Sequence, residues 1–368
     1  MFEEFKPVSK VEWLARIGED LKGRPLSELV AGFGEVSLSP FHHADDRGGR
    51  LPVVLPLTRS WEIGEDIEVS DDFIKTNRRL LRALEGGVNA PRLILNKNIA
   101  YSSLAIILEG VEPDRVSLQF YLTHRKANPG SLLAHFHKFV LLHRIDVKNI
   151  RAGLDWSPGA VVGPADVANL FERVGQSGME IRLPTVNGLH FFSDKKPVVE
   201  LERVVSLGER FLHRYATEKY PPAFINKHLQ FSVAVGKNYF LNIAKLRALR
   251  LLWANVMKAY GMGGPMPPVA VHFAEGEQTD DPHTNMIAAT TQAMSAVTGG
   301  ADRLTVLPAD AYSGEVSGFS RRIARNVQHI LQLESHFDQV ADPVAGSYFV
   351  EKLTRVLCEK AWAAFIEN

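Results

Sequence analysis

The chain has 368 residues, with 42 basic and 42 acidic side chains and a formal net charge of zero. A balanced charge leaves no overall field to draw it to nucleic acid or an anionic membrane. No apolar run approaches the ~20 residues that span a bilayer, and Met1 is followed by FEEFKPVSK rather than a basic and then apolar signal segment. These features predict a cytoplasmic protein with neither a nucleic-acid nor a membrane partner.

In chain order, residues 1–89 precede the first predicted strand and read as an arm. SKVEWLARIGEDLKG opens with a Ser9–Glu12 capping box and repeats apolar residues at Val11, Leu14, Ile17 and Leu21, which predicts an amphipathic helix with a face to bury. The following LSPFHHADDRGGRLPVVLPLTRSWEIGED is rich in Pro and Gly and has no regular period, so it is expected to run along another surface. That surface is either a partner chain or the arm's own domain.

Residues 90–368 alternate strands and helices. Strands are predicted at RLILN from Arg92, VSLQFYL from Val116, NIRAGLD from Asn149, EIRLPTVNG from Glu180, LQFSVAVG from Leu229, VAVHFAE from Val269, RLTVLP from Arg303 and QVADP from Gln339. Runs such as Leu93-Ile94-Leu95 lack polar alternation, as strands covered on both faces should. Eight strand-helix units argue for an α/β fold of the closed type, an eight-stranded parallel β/α (TIM-type) barrel, over an open sheet. Gly299-Gly300 stops one helix, and the run from Phe319 to Leu333 supplies the next. The lone Cys358 sits in a helical run and reads as a small core residue.

In such barrels the reacting groups come from the carboxyl ends of strands. Those positions hold Asn96, His124, Asp155, Asn187 with His190, Asn238, His272 with Glu275, Asp310 and Asp342. The loop HFAEGEQTDDPHTN is the densest, with His272, His283 and four acidic residues, yet it has no H-E-x-x-H spacing and no metal site is predicted. Asp281-Pro282 reads instead as the cap and first turn of a helix.

Several longer words resemble one family. FSRRIARNVQHILQLESH, VADPVAGSYFVE, the closing EKAW, GKNYFLNIAKLRALRLLWANV over 236–256 and the opening SKVEWLARIGEDLKG are similar to segments of methylmalonyl-CoA mutases, strongest over 231–359. The resemblance implies an isomerase that moves a thioester group between adjacent carbons with adenosylcobalamin, converting methylmalonyl-CoA and succinyl-CoA. It also implies positions: His272 matches, across a shortened loop, a His that contacts the thioester carbonyl, and Glu334 and Asn326 match residues on the cofactor side.

The departures are as informative. Thr58-Arg59-Ser60-Trp61 contains no Tyr where the family closes over its radicals, TVNGLHFFSDKKPVVE replaces a substrate-binding segment without its Arg, and acidic residues replace a Ser/Thr/Gln-rich stretch after His272. The family's cobalamin-binding D-x-H-x-x-G has no match; Asp281-Pro282-His283 lacks the Gly. A C-terminal cobalamin-binding domain is therefore expected to be absent, with adenosylcobalamin acting at the level of a complex. The expectation is a small, non-catalytic subunit that binds a large catalytic mutase subunit as a heterodimer, with His272 a vestigial candidate for catalysis. The alternatives are an active acyl-CoA mutase barrel using cobalamin from another chain, and an unrelated barrel hydrolase or lyase.

Overall fold

A computed structural model of the chain describes residues 8–46, 51–52, 60–264 and 266–367. Thr58 and Arg59 lie outside the described residues. The arm comprises helix α1 (Lys10–Asp20) and a hairpin of β1 (Ala31–Phe33) and β2 (Val36–Leu38). The Ser9–Glu12 capping box forms as predicted.

The barrel then runs β3 (Glu62–Glu68), α2 (Phe73–Glu85), β4 (Ala90–Leu95), α3 (Tyr101–Ile107), β5 (Ser117–Leu122), α4 (Pro129–Leu142), β6 (Arg151–Trp156) and α5 (Pro164–Ser177). It continues through β7 (Glu180–Arg182), β8 (Thr185–Asn187), α6 (Pro197–Tyr215), α7 (Pro222–His228), β9 (Gln230–Val235), α8 (Tyr239–Ala259), β10 (Val269–Phe273) and α9 (Pro282–Gly299). β11 (Arg303–Thr305), α10 (Gly318–His329) with a π turn at Ile330–Glu334, and α11 (Tyr348–Glu367) complete it.

The nine strands pair in parallel in the order β7-β6-β5-β4-β3-β11-β10-β9-β8. β7 and β8 flank the cis Leu183–Pro184 peptide; the first pairs with β6 and the second with β9. Counted as one interrupted strand, they reduce nine to eight and join the two ends of the sheet into a ring. The α/β barrel expected from the alternation is therefore the fold.

One strand differs from the expectation. Gln339-Val340-Ala341-Asp342 forms turns before α11, with Val340 55% exposed, and Ser347 and the residues after it start that helix rather than a final strand. The remaining place in the ring is taken by β3, inside the segment 1–89 read as an arm, so the first barrel strand precedes residue 90 by nearly thirty positions. β3 hides from a hydropathy reading because its charges are paired inside the fold. Glu62 meets Arg303, Asp66 meets Arg92 and Glu65 meets Arg325, while Ile63 and Ile67 bury under the helices. Gly64 is required where β3 passes β11, since a Cβ there would lie 2.4 Å from Thr305 Oγ1.

Candidate functional site at the mouth of the barrel

A cavity of about 450 Å3 opens inside the ring at the carboxyl ends of the strands, lined in part by Asp66, Arg92, Tyr121, His190, His272 and Thr305. Alternation along each strand turns Asp66, Arg92, Tyr121, His272 and Thr305 inward, while their neighbours Ile67, Leu93 and Val271 face the helices; His190 comes from the turn Leu189–Phe191 after β8. Arg92 donates from Nε to Asp66 Oδ1 at 2.8 Å and from Nη2 to Oδ2 at 2.6 Å, and its guanidinium lies 5.2 Å from the Tyr121 ring centroid. Burial alone would raise Asp66, but the Arg92 charge and hydrogen bonds hold it below the ordinary carboxylate value.

Two other buried groups are driven toward neutrality. Burial pushes the Asp155 carboxyl up to about 7, although it accepts from its neighbour Trp156 N at 2.8 Å and from Asn187 Nδ2 at 3.4 Å. Burial, then the Arg92 charge, pushes His272 down to about 3. At neutral pH the imidazole is uncharged, able to share a hydrogen bond but not to supply a cation.

The other end of the ring is closed. Arg303 donates to Glu62 Oε2 at 3.0 and 2.7 Å, to Gln230 Oε1 at 3.4 Å and to Ser117 Oγ at 3.3 Å, linking four strands across the axis. Gln119 fills the same layer, donating to Ser117, and it leaves room for no side chain at residue 153: a Cβ on Gly153 would stand 1.9 Å from Gln119 Oε1.

Of the strand-end residues named from the sequence, His190 and His272 line this cavity, while Asp155 and Asn187 pair with each other at 3.4 Å. Asn326 and Glu334 are exposed on α10 and its π turn, whose Gln332 donates to Ser60 Oγ and the Trp61 carbonyl at the start of β3. The π turn is therefore at the end of the ring opposite His272, whereas Asn326 follows Arg325, which reaches Glu65 midway along β3. His283 is exposed on the first turn of α9, where Asp281 accepts from the backbone N–H of both His283 and Thr284, so the string resembling a cobalt-ligand motif is a helix cap. Asp66, Arg92 and Tyr121 were not singled out by sequence; the period-2 placement of Arg92 and Tyr121 on predicted strands was the available signal, and Asp66 lay in the unrecognised strand.

Residues 197–367 match the family model described as methylmalonyl-CoA mutase. The methylmalonyl-CoA mutase small subunit of Porphyromonas gingivalis is 31% identical over all of this chain and 63% of its own length. That of Streptomyces virginiae is 29% identical over 99% of this chain and 64% of its length, and a methylmalonyl-CoA mutase of Cereibacter sphaeroides is 42% identical over 38% of this chain and 20% of its own. The chain belongs to the methylmalonyl-CoA mutase family. It spans just under two thirds of the length of the first two of these relatives.

The words shared with the mutase family now have a physical account. In AKLRALR on α8, all three cations are buried and paired: Lys245 donates to both oxygens of Glu200 at 2.8 Å, Arg247 to Asp342 and Glu351 at 2.8 Å each, and Arg250 to Asp302 at 2.6 Å. Asp342 and Glu351 are the first and last residues of DPVAGSYFVE. The two mutase signatures therefore grip each other, tying α8 to α11, and hold the scaffold rather than the chemistry. Cys358 lies in the same packing, its Sγ 3.7 Å from the Ala248 carbonyl and its thiol pushed up to about 12 by burial.

Proposed function

We propose that the chain is a small, non-catalytic subunit of an adenosylcobalamin-dependent methylmalonyl-CoA mutase, and that its task is to bind the large catalytic subunit as a heterodimer. The observation that carries this reading is the fate of the two arginines inside the ring. Arg92 and Arg303 are each tied to a carboxylate of β3, Asp66 and Glu62. An acyl-CoA thioester is an anion, and a cation already neutralised at 2.6–2.7 Å offers it little. The Arg303 layer also spans the ring below the cavity, so no ligand could extend from it along the axis without breaking those bonds.

The residues suggested for the cofactor do not fit it. Asn326 and Glu334 are exposed on α10 and its π turn, and neither lines the cavity that holds His272. Cobalamin in the complex would then be held by groups beyond those of this barrel. The arm supports the assembly role: α1 is amphipathic, yet none of its residues is buried and Val11 is 77% exposed.

Purified chain mixed with adenosylcobalamin and methylmalonyl-CoA is expected to form no succinyl-CoA, and to co-elute in equal proportion with a large mutase subunit. Turnover by the isolated chain sinks the non-catalytic reading.

A further inference from the structure

A second cavity of about 450 Å3 lies beside the mouth, where β3 meets β11, between α2, α10 and the segment 308–316 that follows β11. Three guanidinium groups line it: Arg79 from α2, Arg321 and Arg325 from α10. Two carboxylates, Glu65 and Glu68, line it with them, and both act on Arg79 and Arg321, which leaves three cations facing two anions. Glu65 takes Arg325 at 2.7 Å and stands 3.7 Å from Arg321. Asp66 turns its carboxylate to Arg92 and offers this cavity its main-chain oxygen, which accepts from Arg79 at 3.2 Å and Arg321 at 3.5 Å. Glu68 is exposed, and Arg79 Nε is buried with no hydrogen-bond partner.

Arginine stays protonated in proteins, so neither group can escape the cost of burial by losing its proton. Burial lowers both Arg79 and Arg321, and for Arg321 the Arg79 charge adds to the effect, against the opposing pull of Glu65 and Glu68 on each. Two partly buried forks thus converge from separate helices on an open volume, with a neutral carbonyl shared between them. A carboxylate has two oxygens and matches one fork; a phosphate presents a third acceptor and satisfies both. The placement, after the last strand and at the first turn of the helix that follows, is one that β/α barrels use for phosphate. Ala311, Gly314 and Ala324 leave space beyond the forks for an organic group.

We propose that this cavity binds a small phosphate-bearing anion, gripped by the forks of Arg79 and Arg321. The site adjoins the inner cavity, sharing Asp66, Ile94, Thr305 and Leu307 with it, and does not rest on the mutase reading.

Calorimetric titration of the full chain with inorganic phosphate, and separately with adenosine monophosphate, at constant ionic strength in chloride tests it. Saturable binding is expected, weakened by about tenfold or more in Arg79→Gln and in Arg321→Gln, a loss of that size being typical of one charge-assisted contact. Ala311→Phe, which fills the cavity and keeps both forks, is expected to abolish binding, and it decides the matter should either Arg variant fail to fold by circular dichroism. Tighter binding of the nucleotide assigns the space beyond the forks to an organic group, whereas equal affinity confines recognition to the phosphate; either supports the site. Heat no greater than in the chloride control, or binding unchanged in Ala311→Phe, overturns it.

Discussion

Asp155 and His272 are both buried and are displaced from their ordinary values in opposite directions, with opposite consequences for stability. Asp155 titrates near 7 in the fold against 3.8 ordinarily, so between those values the folded chain holds a proton that the unfolded chain has released, and stability falls as pH rises. His272 titrates near 3 against 6.5, so in that interval the unfolded chain holds the extra proton and stability falls as pH drops. Each displacement corresponds to about 4 kcal/mol across its full span. The two slopes cancel over much of the acid range in the native chain. Asp155→Asn removes one of them: its unfolding free energy is expected to rise between pH 4 and 6.5, and at pH 8 to exceed that of the native chain by on the order of 2–4 kcal/mol. His272→Gln is expected to show the reverse trend, losing stability from pH 4 to 7. Urea unfolding at several pH values reads both, and parallel profiles for the three proteins would contradict the burial argument.

Helices, strands and their alternation were legible because they rest on local pattern. The capping box at Ser9, the stop at Gly300 in the left-handed region and the cap at Asp281 all form where the sequence places them. β3 was not legible, because four acidic residues in seven look like solvated surface until Arg92, Arg303 and Arg325, distant in sequence, are known to meet them. The same is true of the site: His272 could be named from its strand, but the charges acting on it come from three other strands, Arg92 on β4, Asp66 on β3 and Arg303 on β11. Long-range ion pairs of this kind invite a test at the element scale. Arg247→Met removes the cation that joins α8 to α11 and leaves Asp342, with a 6% exposed side chain, as an uncompensated charge. A loss of about 3–5 kcal/mol in urea unfolding is expected. Adding Asp342→Asn and Glu351→Gln to that variant should restore much of it, since the penalty lies in the stranded carboxylates. No recovery in the triple variant would place the cost in packing instead.

At the scale of the whole molecule, the arm is anchored by its middle and unspent at its helix. The hairpin docks firmly: Phe33 is 7% exposed with its ring 6.0 Å from Phe349, Glu35 accepts from the Val198 N–H at the start of α6, and Lys360 of α11 donates to the Glu35 carbonyl. α1 is held by Trp13 against Phe41 and by the Lys10–Asp46 pair, yet contributes nothing to the core. A helix with an apolar stripe gains stability chiefly by burying it, and among the described residues this one has not done so. The two parts of the arm should therefore respond differently to substitution. Phe33→Ala is expected to cost about 3–5 kcal/mol in unfolding. Val11→Lys combined with Leu14→Lys is expected to leave unfolding within about 0.5 kcal/mol of the native chain, while weakening co-elution with a large mutase subunit by about tenfold or more. Should the double lysine variant assemble as tightly as the native chain, the unburied face of α1 has no part in the interface; should it instead destabilise the isolated chain, that face packs on the barrel itself.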